Sequence, residues 1–260
     1  MTISTHIAPI SSFTDNYIWQ LRESDQRHAV VVDPGDAAPV VSALEREGVA
    51  LSAILITHHH GDHTGGVSGL TARYPGIPVF GPRERIAGIT HLVSEGEIIE
   101  PPETSLSFRV LEVPGHTRGH VAYYGHGGLF CGDTLFSVGC GRLFEGSPAE
   151  MYGSLQKIAD LPVETLIYCA HEYTLDNIRF AKRVEPDNPA LAERERQAFA
   201  RIDKDLPTVP STLAEELATN PFLRSHVPEV IAAAEAYARR KLPNPVDVFA
   251  TVRRWKDDTD

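Results

Sequence analysis

The stretch Ile54-Leu55-Ile56-Thr57-His58-His59-His60-Gly61-Asp62-His63 decides how this chain is read. A strand-forming apolar run stops, and four imidazoles and one carboxylate follow within six residues. Crowding such groups at a strand end costs desolvation and mutual repulsion, and a bound cation reverses both penalties. In the spacing H-x-H-x-D-H, His58 and His60 can face one way and Asp62 and His63 another. That alternation suits two adjacent metals better than one. A solvated histidine-rich loop is the plainer alternative, and the density of the cluster directly after a buried strand argues against it.

The same arrangement recurs. Residues 52–56 lead into His58, and residues 108–113 lead through Pro114-Gly115 into His116. Residues 129–132 lead into Asp133, and residues 166–170 into His171. If these strands are sheet neighbours pointing the same way, their ends meet at one sheet edge, where α/β folds place their sites. Further strands read at 17–21, 29–32 and 78–80, with Asp33-Pro34-Gly35 as a turn. Helical spacing covers 38–47, ending at Gly48, and a second helix is expected over 66–74. Strands alternating with helices indicate an α/β layered domain.

From about residue 174 the strand runs vanish. Leu191, Ala198, Phe199, Ile202 and Leu206 form an apolar stripe at helical spacing, read as core. Thr212 with Glu215 reads as a capping box, and Asn220-Pro221 stops that helix. Pro228 and Pro245 sit where first-turn prolines belong. The expected organisation is a catalytic domain over 1–173 and a small helical domain over 174–260.

With 260 residues, 42% of them apolar and 23% charged, the chain is long enough for such a pair and too apolar for wholesale disorder. A net charge of −11 argues against general nucleic-acid binding, which runs on basic surface. Cys131, Cys140 and Cys169 form no CxxC pair and no even framework, which fits a reducing cytosol. The opening MTISTHIAPI has no signal-peptide pattern, and no later run approaches a membrane span. The expectation is a cytoplasmic monomer, with no nucleic-acid or membrane partner.

The collected candidates are His58, His60 and His116, then Asp62, His63 and His171, with Asp133 between the two groups. Imidazole and carboxylate without thiolate suit Zn, Fe or Mn. Two metals sharing a carboxylate and a hydroxide make a nucleophile at neutral pH, so the implied reaction class is hydrolysis.

His58-x-His60-x-Asp62-His63, Pro114-Gly115-His116-Thr117, Gly132-Asp133-Thr134 and His171, in that order, resemble the metallo-β-lactamase superfamily. That resemblance implies an αββα sandwich with its ligands along one edge. Thr14-Asp15-Asn16-Tyr17, Gly139-Cys140-Gly141-Arg142, His171-Glu172-Tyr173-Thr174, Asn220-Pro221-Phe222-Leu223-Arg224 and Arg253-x-x-Lys256-Asp257 look more narrowly like the glyoxalase II family, the hydroxyacylglutathione hydrolases. The narrower resemblance runs from about residue 10 to the end.

It implies hydrolysis of S-D-lactoylglutathione to D-lactate and glutathione by a metal-bridging hydroxide, the second step of methylglyoxal detoxification. It implies two divalent metal ions, zinc first, with iron or manganese as alternatives. One is held by His58, His60 and His116, the other by Asp62, His63 and His171, and Asp133 bridges. Asp62 and Asp133 are the residues implied in catalysis. Arg142, Tyr173, Arg253 and Lys256 are implied in binding glutathione, whose two carboxylates need local cations on an acidic protein. By itself, Arg253-Arg254-x-Lys256 reads as a solvated helix end. Phe144 stands where the family pattern leads one to expect tyrosine, so one hydroxyl is missing, and Arg142 stands where some members carry lysine. His59 reads as a solvent or supporting residue, and His120 as a structural donor. The rival reaction on the same fold is a glutathione persulfide dioxygenase using one iron.

Overall fold

The computed structural model describes residues 5–23 and 27–259. Residues 1–4, the start of the opening stretch read above, lie outside the described residues. The chain packs as two compact units. One runs through Glu112 and includes Gly119–Gly132; the other comprises Val113–Arg118 and the chain from Asp133 onward.

The first unit carries β1 (Thr5–Ser12), β2 (Asn16–Glu23), β3 (His28–Val32), α1 (Ala37–Glu47), β4 (Ala50–Leu55), α2 (Gly61–Thr64), α3 (Val67–Arg73), β5 (Val79–Gly81), β6 (His91–Leu92), β7 (Ile98–Ile99), β8 (Phe108–Glu112), β9 (Val121–Gly125) and β10 (Gly128–Gly132). Strands β1 to β6 form one sheet in sequence order, antiparallel through β3 and parallel from β3 to β6. Strand β4 reads Ala-Leu-Ser-Ala-Ile-Leu and is buried from Leu51 onward, as a parallel strand covered on both faces must be. Helix α1 starts at Asp36, whose side chain caps Ala38 N–H at 3.0 Å, and stops at Gly48 in the left-handed conformation (φ 66°). Val40 and Leu44 of α1 and Val67 and Leu70 of α3 pack on Val31, Ile54 and Val79 of the sheet.

Strands β7 to β10 run antiparallel, in the order β10, β9, β8, β7. Tyr123 of β9 is fully buried, and its hydroxyl donates to Ile56 O at 2.7 Å. Burial, reinforced by the Asp33 carboxylate, pushes its phenol well above the ordinary range, so it stays a neutral donor. Val121 N–H donates to Thr57 O at 2.9 Å, a second tie between the chain beyond β4 and the second sheet. The single shared sheet expected for the ligand-bearing strands does not form: β4 lies in the sheet of β1 to β6, whereas β8 and β10 lie in the other. The layered packing, not strand adjacency, brings the ends of β4 and β9 together.

The second unit carries β11 (Leu135–Phe136), β12 (Gly139–Cys140), α4 (Pro148–Ala159), β13 (Leu166–Cys169), α5 (Thr174–Val184), α6 (Pro189–Ile202), β14 (Ser211–Thr212), α7 (Leu213–Thr219), α8 (Pro228–Ala238) and α9 (Pro245–Asp257). The helical segment expected from 174 lies wholly in this unit, together with His116 and Asp133. Thr212 and Glu215 form the reciprocal capping box, and Pro228 and Pro245 open their helices. The stripe on α6 needs correction. Leu191 and Ala198 are buried, but Phe199 (49%), Ile202 (38%) and Leu206 (47%) are exposed. The buried face runs through Leu191, Arg194 and Ala198, and Phe199 sits about 100° round the helix from Ala198. Arg194 is tolerated there because it donates to Ser137 Oγ (2.9 Å) and Thr208 O (2.8 Å).

Arg224 grips the buried Glu185 with two bonds of 2.8 and 2.9 Å. Replacing Arg224 by alanine strands that carboxylate and is expected to cost roughly 2–3 kcal/mol, read as a lower urea midpoint at constant m.

Candidate active site

In the first unit the site is built on Asp33. This residue directly follows β3 in the left-handed conformation (φ 52°), which aspartate tolerates, and it is buried. Its Oδ1 accepts Thr57 N–H at 2.8 Å, and its Oδ2 accepts the Thr57 hydroxyl at 2.7 Å. The same Oδ2 lies 3.0 Å from His63 Nδ1. Thr57 Oγ1, having given its proton to Asp33, accepts from His58 Nδ1 at 3.0 Å. The outer nitrogens of His58 and His63 are thus held as donors, and each ring presents Nε2 inward.

His58 Nε2 lies 3.0 Å from His60 Nδ1, and His63 Nε2 lies 3.4 Å from Asp62 Oδ2. Asp62 Oδ2 accepts Asn16 Nδ2–H at 3.0 Å. Two glycines let the backbone close around this loop. A Cβ on Gly35 would fall 1.9 Å from Asp62 O, and one on Gly132, at φ 48°, would fall 2.3 Å from Thr57 Oγ1. His120 stacks on His58 at 4.6 Å and 16° and is fully buried. His59 is part-exposed.

In the second unit Asp133 stands between two imidazoles. Its Oδ2 lies 3.4 Å from His116 Nε2, and its Oδ1 lies 3.4 Å from His171 Nε2. His116 Nδ1–H donates to Arg142 O at 2.9 Å, which fixes its tautomer. Tyr173 stacks on His171 at 4.7 Å and 7°. Beside them opens a cavity of about 670 Å³, lined by His116, Asp133, Arg142, Phe144, Tyr173, Arg253 and Lys256 among others.

Its cations divide into two kinds. Arg142 is exposed at the mouth, as is Phe144, whose ring meets His116 edge-on at 5.2 Å. Arg253 and Lys256 are buried. Arg253 donates to Cys140 O (2.8 Å) and Asp257 Oδ1 (3.0 Å) and lies over the Phe222 ring at 5.0 Å. Lys256 Nζ lies over the Phe180 ring at 5.9 Å. The solvated helix end that this basic run suggests by itself is therefore not what forms. The helix turns these two cations into the unit, where aromatic faces receive them.

The donors of each unit are imidazole and carboxylate, with His58, His63 and His116 oriented by hydrogen bonds on their far side. Such a set fits a divalent cation of the Zn, Fe or Mn kind. Burial pushes the Cys140 thiol up to about 11 and the Cys169 thiol to about 12, which makes both poor ligands and poor nucleophiles at neutral pH.

Residues 16–171 match the family model of the metallo-beta-lactamase superfamily, and residues 172–259 match that of the hydroxyacylglutathione hydrolase C-terminus. The chain belongs to the hydroxyacylglutathione hydrolases of the metallo-β-lactamase superfamily. A hydroxyacylglutathione hydrolase of Alkalilimnicola ehrlichii is 56% identical over 98% of this chain and 100% of its own length. One from Nitrosomonas europaea is 52% identical over 97% of this chain and 96% of its own length. Among solved structures, ETHE1 from Myxococcus xanthus superposes with a TM-score of 0.63, covers 100% of both chains, and is 22% identical, a likeness of fold.

Asn16, singled out only as part of Thr14-Asp15-Asn16-Tyr17, is the donor that holds Asp62. Asp33 escaped notice because Val-Val-Val-Asp-Pro-Gly reads as a strand and its turn. The one signal for it is an acidic residue directly after a buried parallel strand. Phe136 was missed as well; it packs edge-on against His171 (5.9 Å) and Tyr173 (5.2 Å). No helix among the described residues is long and apolar enough to cross a membrane.

Proposed function

We propose that the chain hydrolyses S-D-lactoylglutathione to D-lactate and glutathione. The observation that carries this reading is Asp133, one oxygen facing His116 and the other His171, at the wall of a cavity that also holds Arg142, Tyr173 and Lys256. In the proposed assignment His58, His60 and His116 hold one divalent cation, and Asp62, His63 and His171 hold the other. Asp133 would be the ligand shared between them. When bound, such a pair acidifies a shared water and polarises the thioester carbonyl. Zinc is the proposed metal, and iron or manganese suits the same donors.

The chain's own groups do the rest. Asp62, steadied by Asn16, accepts a hydrogen bond from the attacking water and orients it. The water gives up a proton to solvent as its oxygen bonds to the acyl carbon, and the C–S bond breaks with its electron pair leaving on sulfur. The products are the carboxylate, which sheds the second proton, and a thiolate that takes up a proton from solvent. A thiolate with a pKa of about 8.5 leaves without help, so no general acid is needed and none is assigned. Arg142 at the mouth and Lys256 deeper in the cavity attract the two carboxylates of the glutathione portion, and Tyr173 offers a hydroxyl. Arg253 adds its charge to that wall while holding Cys140 O. The proposal includes a cytoplasmic monomer acting in methylglyoxal detoxification, with the helical segment as the glutathione-binding part.

The test is thiol release from S-D-lactoylglutathione by the purified protein, run beside an oxygen electrode with glutathione persulfide. Thiol release with no oxygen uptake supports the reading; oxygen uptake with no thiol release replaces it with the persulfide dioxygenase. Phe144 yields a further expectation. Phe144→Tyr supplies the missing hydroxyl at the cavity mouth and lowers KM by about 3–10-fold, one net hydrogen bond, with kcat unchanged in steady-state assays.

A further inference from the structure

Asn220-Pro221-Phe222-Leu223-Arg224 is a motif for which the reaction gives no role, yet its first residue reaches the hairpin that starts at the site. Strands β11 and β12 pair Leu135 with Cys140 and Phe136 with Gly139, leaving Ser137 and Val138 as the turn. Val138 is fully buried and adopts φ 59°. A β-branched residue in that left-handed region is strained by about 1–2 kcal/mol, so something must hold it there.

Two fully buried side chains do so. Glu216 Oε2 accepts Val138 N–H at 2.8 Å, and Asn220 Nδ2 lies 2.9 Å from the same oxygen. Asn220 Nδ2 also reaches Gly139 O (2.9 Å) and Phe136 O (3.2 Å). Phe222 N–H donates to Asn220 Oδ1 at 3.1 Å, which keeps the amide's donor side toward the hairpin. Burial pushes the Glu216 carboxyl up, so this carboxylate costs more than an apolar plug would.

What the hairpin carries explains the arrangement. Its first strand follows Asp133 and Thr134, and Thr134 O accepts Gly141 N–H at 3.3 Å. Its second strand leads to Cys140 O, the acceptor of Arg253, and to Arg142 O, the acceptor of His116 Nδ1. Phe136 packs on His171.

We propose that Glu216 and Asn220 are positioning residues for the hydrolysis: they clasp the turn at Ser137 and Val138 and thereby set Asp133 between its two imidazoles. The role rests on the reaction proposed above, and it is tested by a double-mutant cycle with two readouts, zinc affinity by titration of the metal-free full chain and kcat for thiol release. Glu216→Leu weakens zinc binding and lowers kcat by about 10–100-fold. Val138→Gly adopts φ 59° without strain and leaves both near wild type. Combined with Glu216→Leu it recovers about tenfold, because the turn no longer needs the clasp. If Glu216→Leu does not fold, Asn220→Ser takes its place in the same cycle with the same expectation. Strictly additive effects, or a lower Tm with zinc affinity and kcat unchanged, overturn the proposal. Should the wild type release no thiol, the reaction assignment fails, while the zinc-affinity cycle still decides whether the clasp positions Asp133.

Discussion

Asp133→Asn lowers kcat for thiol release by at least about a thousandfold, about 4 kcal/mol of barrier. The substitution keeps size and shape. It exchanges one of the two oxygens that face His116 Nε2 and His171 Nε2 at 3.4 Å for an NH₂ group, which cannot ligate a cation. The ligand proposed to be shared by the two metals is weakened, and the negative charge between the imidazoles disappears. Elemental analysis is expected to show less than the wild-type metal content, with Tm of the folded protein little changed. Wild-type kcat in a variant with depleted metal would contradict the role assigned to Asp133.

Asp33→Ala has the second large effect, and it acts on stability and on metal binding together. Removing the carboxylate leaves Thr57 N–H, the Thr57 hydroxyl and His63 Nδ1 without their common acceptor, all in the interior. The expected loss is about 3–5 kcal/mol of folding stability, the range for breaking a buried charged network. In the protein that remains folded, His63 loses the hydrogen bond that orients its Nε2, and Thr57, the partner of His58 Nδ1, loses its own anchor. Metal affinity then falls about 10–100-fold. Urea unfolding of the metal-free chain separates the first effect, and metal titration reads the second. A midpoint within experimental scatter of the wild type would show that Asp33 is no keystone.

The parts of this architecture that sequence made legible are those where one local rule dominates. Residues 50–55 are a largely apolar strand, and the density of histidines directly after it marks the candidate site. Helix α1 announces itself through Gly48, and α7 through Thr212 and Glu215. The obscure parts depend on which elements pack together. Phe199, Ile202 and Leu206 have helical spacing, but a stripe does not reveal which of two adjacent faces is covered, and here Arg194 takes a place on the buried one. Arg253 and Lys256 look solvated because burial of a cation is costly, and here the Phe222 and Phe180 rings, the Cys140 carbonyl and the Asp257 carboxylate help to make it acceptable. The expectation of one shared sheet failed for a similar reason: strand ends can converge across two layers as well as along one. Asp33 stayed hidden because its three partners, Thr57 N, Thr57 Oγ1 and His63 Nδ1, are 24 and 30 residues away.

The measurement that tests the central claim most directly is thiol release from S-D-lactoylglutathione by protein stripped with a chelator and then reloaded with zinc, iron or manganese separately. The account predicts that release falls to the uncatalysed rate on stripping and returns with about two equivalents of at least one metal. Full activity in protein verified to be metal-free, or no release from protein carrying two metal equivalents, would contradict it.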